Sequence, residues 1–165
     1  MFLETKNSRI QKVNFSEIEN TQVAVFIKRE DELHPFISGN KYRKLKYNLE
    51  EAVRLKKETL LTFGGAYSNH IAATAAAGFE HNFKTIGVIR GDELAANLDF
   101  VLNKNPTLMF ASEHNMQFHF VSRSDYRNKT TPEFIADLKE KFEDFYLVPE
   151  GGTNKFAIKG CEEIL

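Results

Sequence analysis

The chain has 165 residues, 42% of them hydrophobic and 27% charged, a composition typical of a globular protein with room for one domain and part of a second. Its formal net charge of -1 gives no strong field that would favour nucleic acid or a membrane surface as a partner. No apolar run reaches the roughly 18 residues of a membrane span, and the N-terminus lacks the apolar stretch of a signal peptide. The single cysteine, Cys161, excludes an internal disulfide, and these features together favour a reducing cytoplasm.

Strand patterns and helix patterns alternate along the chain. Apolar or alternating runs predict strands at 22–28, 60–63, 84–90, 117–121 and 145–148. Helical periodicity predicts a helix from Lys41, an alanine-rich helix that ends at Gly78, helices at 106–115 and 132–142, and one more after 154. Short apolar strands that alternate with helices are typical of an α/β fold. We therefore expect an open, twisted, mostly parallel sheet with helices on both faces.

Residues 63–70, FGGAYSNH, join a predicted strand to a predicted helix through two glycines. Amides in the first turn of a helix have no intrahelical partners, and the helix dipole favours negative charge there. In a parallel sheet this turn lies at the carboxyl end of a strand, where such folds bind ligands. The turn is a candidate site for a carboxylate or a phenolate oxygen, with Ser68 and Asn69 as added donors. The alternative, equally open on local pattern, is a tight turn with Ser68 as a helix cap.

Residues 38–44, SGNKYRK, open the first predicted helix with three cations. Basic residues in a first turn oppose the helix dipole, so stability alone would favour Asp or Glu there. Such local conflicts are typical of functional positions. A lysine near a helix N-terminus also has its ammonium form disfavoured, which exposes the neutral amine that covalent amine catalysis requires. Lys41 is therefore a candidate reactive lysine.

The other cations of this helix have simpler interpretations. Lys44 and Lys46 are interpreted as a solvated basic surface. Arg43 is left open between an ion pair with an acidic residue, such as Glu30 or Asp31, and plain solvation.

The remaining motifs predict neither a metal site nor a nucleotide site. The five histidines show no H-x-x-x-H spacing, and the single cysteine gives no C-x-x-C. Neither G-x-G-x-x-G nor G-x-x-x-x-G-K-[ST] occurs in the chain, which argues against a dinucleotide or P-loop site. A second glycine turn, EGGT at 150–153, is interpreted as packing.

Three segments together resemble a known enzyme family. In order and in spacing, IKREDELHPFISGNKYRKLKYNL, LLTFGGAYSNHIAATAAAG and the later YLVPEGGTN…KGCEEI are similar to the 1-aminocyclopropane-1-carboxylate deaminase/D-cysteine desulfhydrase family. These are enzymes of the tryptophan synthase β-subunit type, or fold type II. The resemblance implies pyridoxal 5'-phosphate as the cofactor, a small amino acid as the substrate, and a deaminase or lyase reaction that releases ammonia.

The resemblance also implies roles at the matching positions. Lys41 matches the lysine that carries the cofactor and later moves protons, and Asn40 is a neighbour that positions it. Asn69 matches an asparagine near the 3′ oxygen of the cofactor. Ser68, Asn69 and His70 match the loop that receives the substrate carboxylate, with Ser68 also a candidate for proton transfer. His70 departs from the family, which often has Gln at that position.

Members of this family are considerably longer, and their phosphate-binding glycine loop and active-site tyrosine lie in the C-terminal half. The resemblance therefore implies an N-terminal portion: the start of the large cofactor domain at 1–45, a small α/β domain at 46–143, and a return into the large domain at 144–165. We expect the isolated chain to bind the cofactor weakly, and the intact enzyme to be a homo-oligomer. The alternative is a non-catalytic α/β module that binds an anionic metabolite at residues 64–70.

Overall fold

The structure, a computed structural model, describes residues 7–19 and 21–165. Near its beginning, β1 (Ile10–Val13) and β2 (Val25–Lys28) form a two-stranded antiparallel ribbon that is separate from the main sheet. The strand predicted at 22–28 is therefore too long, and its partner was not predicted. The backbone N–H of Val23 donates to the hydroxyl of Thr21 at 3.2 Å, and this turn keeps the residues before Val25 out of the strand.

The main sheet has four parallel strands, which are β3 (Thr59–Gly65), β4 (Lys84–Arg90), β5 (Met116–Val121) and β6 (Tyr146–Val148). Their order is β5-β4-β3-β6, so the chain moves outward from β3 and then returns to its other side. Because the strands are parallel, all four carboxyl ends lie along one edge of the sheet. The predicted α/β fold with a parallel sheet is confirmed.

Seven α-helices occur in the described ranges. They are α1 (Asn40–Arg54), α2 (Asn69–Glu80), α3 (Leu98–Lys104), α4 (Pro106–Glu113), α5 (Arg123–Arg127), α6 (Pro132–Phe142) and α7 (Lys155–Glu162). The short helices α3 and α5 were not predicted, because seven and five residues are too few for a periodic signal. Within the described residues, no helix has the length and apolar character needed to cross a bilayer.

Helices cover both faces of the sheet, as predicted. Successive residues of a strand point to opposite faces. Leu60 of β3 therefore packs with apolar residues of α1 and α2. Its neighbour Leu61 and the further residue Phe63 pack on the other face with Tyr126 of α5 and Leu138 of α6. The central strand is thus fixed on both sides, which gives the turn at its carboxyl end a rigid base.

Gly78 does not end α2, although the sequence predicted it as the glycine after the helix. The helix continues to Glu80, and Asn82 takes the left-handed conformation with φ of 60°. A Cβ at Gly78 would lie 2.1 Å from Cγ2 of Thr85. The glycine is therefore required by the close approach of α2 to β4 and not by the end of the helix.

Candidate active site

The turn between β3 and α2 lies at the carboxyl edge of the sheet, where the sequence predicted an anion site. Gly64 allows the turn to fold back over the helix start, because a Cβ there would lie 2.5 Å from Cγ1 of Ile71 and 2.9 Å from Cβ of Ser68. Ser68 caps α2 by accepting a hydrogen bond from the backbone N–H of Ile71 at 3.4 Å. The cap interpretation is therefore confirmed. It is compatible with an anion site, since Asn69 is exposed at the first turn.

The candidate reactive lysine lies at the beginning of α1. Gly39 precedes the helix with φ of 60° and ψ of −145° and supplies no side-chain cap. Lys41 is half-buried, and its Nζ donates to Oδ1 of Asn40 at 2.7 Å. Burial and, second, the charge of Lys44 lower the pKa of the Lys41 amine from its usual value. A larger fraction of this amine is therefore neutral than in an exposed lysine.

His70 lies inside the protein with 2% of its surface exposed. The hydroxyl of Thr62 donates to the carbonyl oxygen of Val148 at 2.8 Å and lies 2.8 Å from Nε2 of His70. Since a hydroxyl has one proton to give, Thr62 accepts from Nε2–H, and the ring is the Nε2–H tautomer. Burial, together with the charges of Lys41 and Lys44, lowers the pKa of His70 to about 4, so the ring is neutral at pH 7. The substrate-binding role of His70 stays a prediction.

A second glycine turn, at residues 151–153, contacts residues near the beginnings of both α1 and α2. Nζ of Lys44 donates to the carbonyl oxygen of Gly151 at 3.3 Å and to Oγ1 of Thr153 at 3.0 Å. Gly152 has φ of 74°, and a Cβ there would lie 3.3 Å from Cε1 of His70 and 3.4 Å from Cβ of Lys44. The interpretation of Lys44 as solvated surface is therefore wrong, because its amine holds this turn against α1.

The interpretation of Lys46 as solvated surface is also wrong. Lys46 is 1% exposed and pairs with Glu163 of the chain after α7, at 2.5 Å. Arg43, whose partner the sequence left open, is fully buried and pairs with Glu30 at 2.9 Å and with Glu163 at 3.2 Å. Asp31 instead pairs with Arg29. The sequence could not reveal this arrangement, since it depends on α7 lying against α1.

Arg90 is a residue near the site that the sequence did not single out. It ends β4 directly beside Gly65, and its Nη2 lies 3.7 Å from the position of a Cβ on that glycine. Its guanidinium also lies 5.7 Å from the centre of the Tyr126 ring. Tyr126 in turn donates a hydrogen bond to Glu150 at 2.7 Å. The sequence could have indicated Arg90 by its position as the last residue of a predicted parallel strand, at the edge where α/β folds bind ligands.

A broad surface depression lies at the opposite edge of the sheet. Its lining includes four residues with positive φ, which follow α1, α2, α4 and α6: Lys56, Asn82, Asn115 and Glu143. Both basic and acidic side chains line it. Connections between helices and strands line this depression. None of the residues predicted for catalysis or binding lies in its lining.

Comparison with known proteins agrees with the resemblance read from the sequence. No family model matches the chain. It is similar to the bifunctional D-cysteine desulfhydrase/1-aminocyclopropane-1-carboxylate deaminase, mitochondrial, of Arabidopsis thaliana, with 34% identity over 143 residues that cover 84% of this chain and 35% of that protein. It is also similar to the D-cysteine desulfhydrase of Yersinia enterocolitica, with 26% identity over 82% of this chain and 41% of that protein.

Among solved structures, the chain is similar to an ACC deaminase homologue, with a TM-score of 0.70 and 26% sequence identity. The match covers 99% of this chain and 49% of that one. The predicted resemblance and the fold type II architecture are thereby confirmed. The chain spans about a third to a half of the length of the proteins it matches.

Proposed function

We propose, on the premise that the chain is a homologue of the 1-aminocyclopropane-1-carboxylate deaminase/D-cysteine desulfhydrase family, that it supplies the lysine-bearing part of a deaminase or lyase acting on a small amino acid. Enzymes of this family depend on pyridoxal 5'-phosphate. The single observation that carries the proposal is Lys41. It is a half-buried amine with a lowered pKa, at the helix start where the family pattern expects the cofactor lysine.

The described residues fit the cofactor at its aldehyde end. An aldehyde reacts with a neutral amine, and burial favours the neutral form of Lys41. The hydrogen bond from Lys41 Nζ to Asn40 Oδ1 orients the amine, which supports a positioning role for Asn40. We propose that the amide of Asn69, exposed at the start of α2, donates to the phenolate oxygen of the cofactor. We assign no residue of this chain to the phosphate group.

The start of α2 fits the carboxylate of an amino-acid substrate. Backbone N–H groups of the first turn, together with the side chain of Asn69, offer donors where the helix dipole favours negative charge. The backbone N–H of His70 belongs to this set, while its ring is hydrogen-bonded to Thr62 of β3. The cofactor, when bound, withdraws electrons from the substrate Cα. Lys41 and the Ser68 hydroxyl are the groups that we propose hold and move the proton there.

The wider organisation is part of the same proposal. Residues 1–45 and 144–165 would belong to a large cofactor domain and residues 46–143 to a small domain, in an enzyme that assembles as a homo-oligomer in the cytoplasm. The share of the matched proteins that this chain covers, from 35% to 49%, is compatible with the proposed division into parts of two domains. The proposal covers both 1-aminocyclopropane-1-carboxylate and D-cysteine as substrates.

The test is reductive trapping of the full 165-residue chain with pyridoxal 5'-phosphate and borohydride, followed by peptide mapping. We expect selective, sub-stoichiometric labelling of Lys41, and loss of that label in Lys41→Ala. The matched control is Lys104→Ala, since Lys104 is exposed at the end of α3; it should leave the Lys41 label unchanged. Labelling spread over exposed lysines, and unaltered in Lys41→Ala, would contradict the proposal and favour the non-catalytic module.

A further inference from the structure

The first turn of α1 lacks the local features that normally stabilise a helix start. Gly39 offers no side-chain cap, and the turn contains no acidic residue. Lys41, Arg43 and Lys44 instead place three positive charges within the first five residues of the helix, near the positive end of its dipole. The position of this turn must therefore depend on contacts with other parts of the protein.

Arg43 makes the most extensive of these contacts. Its side chain has no exposed surface, and its Nε and Nη2 donate to the two carboxylate oxygens of Glu30 at 2.9 and 3.2 Å. Its Nη1 donates to Oε2 of Glu163 at 3.2 Å. A guanidinium held in this forked geometry fixes direction as well as distance. The backbone of Arg43 is thus held between a segment that precedes α1 and one that follows α7.

Each carboxylate is itself held in place by further donors. Glu163 also accepts from Nζ of Lys46 at 2.5 Å and from the hydroxyl of Tyr47 at 2.6 Å. Glu30 accepts from the hydroxyl of Ser8 at 2.5 Å. Burial alone would raise the pKa of each carboxyl, but these hydrogen bonds outweigh it and lower both values. Both groups are therefore charged at pH 7, and neither is free to turn away from Arg43.

The backbone of the same turn is in direct contact with α7. A Cβ on Gly160 would lie 2.0 Å from the carbonyl oxygen of Arg43. Only a glycine permits this approach, so α7 rests on the main chain of α1 two residues after Lys41. Side-chain bonds and backbone contact therefore restrain the same residue.

We propose that Arg43, Glu30 and Glu163, with Gly160 as the backbone contact, form a positioning network that fixes the first turn of α1 and so sets the place and environment of the Lys41 amine. The inference rests on the proposed function of Lys41. Buried charge pairs add little net stability, because desolvation offsets their attraction. A network of this size is therefore better explained by the geometry it imposes than by the stability it provides.

The link to Lys41 is mechanical. Lys41 and Arg43 belong to one helical turn, so a shift or unwinding at Arg43 carries the Lys41 backbone with it. The hydrogen bond from Lys41 to Asn40 involves the residue at the very start of the helix. If that turn loosens, the amine gains water and its ammonium form becomes more favourable.

The test compares Glu163→Gln and Glu30→Gln with Glu51→Gln in the full chain. Glu51 pairs with Arg54 on the same helix, where Arg54 is 66% exposed, so it controls for loss of an ion pair on α1. The measured quantity is the pH dependence of Lys41 labelling by pyridoxal 5'-phosphate with borohydride. In the two network variants we expect the midpoint to rise by about one pH unit and labelling at pH 7 to fall about tenfold. Glu51→Gln should match the wild type.

A structural role alone would lower the melting temperature of the network variants and leave the Lys41 midpoint unchanged, and that result would overturn the inference. Should the single variants fail to fold, the triple variant Glu30→Leu, Arg43→Met, Glu163→Leu replaces the charges by apolar groups, a change that cores often tolerate. A folded triple variant with a wild-type midpoint would equally overturn it. Absence of selective Lys41 labelling in the wild type is a different outcome, since it contradicts the proposed function itself.

Discussion

The two helices that carry the candidate site begin in opposite ways. α2 begins with a Ser68 side-chain cap and has no charged side chain in its first turn. α1 begins after Gly39, which provides no side-chain cap, and has three cations among its first five residues. The start of α2 is stabilised by its own sequence, whereas the start of α1 is held by Glu30 and Glu163 from distant segments.

This difference matches the chemistry proposed for each helix. Binding a carboxylate uses backbone N–H groups, which a well-formed helix start presents without further help. A reactive amine needs a lysine in a place where its charge is disfavoured, and such a place opposes stable helix formation. Support from other segments allows α1 to keep its lysine at that position.

The largest expected effect concerns the buried His70 side chain of α2. The pKa of His70 is lowered from 6.5 to about 4. Between these pH values the unfolded chain therefore binds a proton at this histidine and the folded protein does not. The contribution to stability is complete above pH 6.5 and is lost as the pH falls from 6.5 to 4, by about 3 kcal/mol in all. Urea unfolding at several pH values should show this loss in the wild type and not in His70→Gln, whose amide can still donate to Thr62.

His114→Gln is the control for that experiment, since His114 is half-buried at the end of α4 and far from the turn in sequence. It should keep the wild-type fall in stability between pH 6.5 and 4. An equal fall in His70→Gln would mean that other groups cause the acid sensitivity, and that α2 does not depend on a neutral ring at position 70.

A smaller effect is expected when α2 loses its own cap. Ser68→Ala removes the acceptor for the N–H of Ile71 and should lower the free energy of unfolding by about 1 kcal/mol. The change is measured by urea unfolding at pH 7. Asn97→Ala, which removes the matching cap of α3, serves as a comparison. A Ser68→Ala protein as stable as the wild type would show that α2, like α1, is held from outside.

The smallest effect has the opposite sign. Lys41→Gln removes one of three charges that oppose the dipole of α1 and should raise the free energy of unfolding by a few tenths of a kcal/mol. The same change abolishes labelling by pyridoxal 5'-phosphate at that position. Lys104→Gln, at the end of α3, is the reference for removing a lysine that the dipole favours. A loss of stability in Lys41→Gln would mean that the lysine itself stabilises the start of α1.

The sequence predicted the features that local rules determine. The main strands, the helices at 106–115 and 132–142 and the cap at Ser68 followed from periodicity, proline positions and capping residues, and the structure has them with small shifts of boundary. The glycine turn at the end of β3 was predictable for the same reason. Its neighbours in sequence are also its neighbours in space.

Features that depend on distant segments were not predictable. Lys46 lies on a polar helix face, which is typical of a solvated surface until Glu163 is known to lie against it. Strand β1 was missed because its residues are mostly exposed and lack a one-sided apolar pattern. Gly78 was wrongly interpreted as the glycine that ends α2. A glycine is needed there because Thr85 on the next strand leaves no room for a Cβ. The partners of Arg43 were open for the same reason.

The contact between Arg43 and Glu163 spans 120 residues of chain. Closing so long a loop costs conformational entropy that short-range contacts do not, and contacts of this separation form late in folding. α2 can acquire its cap as soon as its own first turn forms. We expect the first turn of α1 to reach its final place only after α7 has docked, so that Lys41, although early in the sequence, is among the last side chains to take its native position.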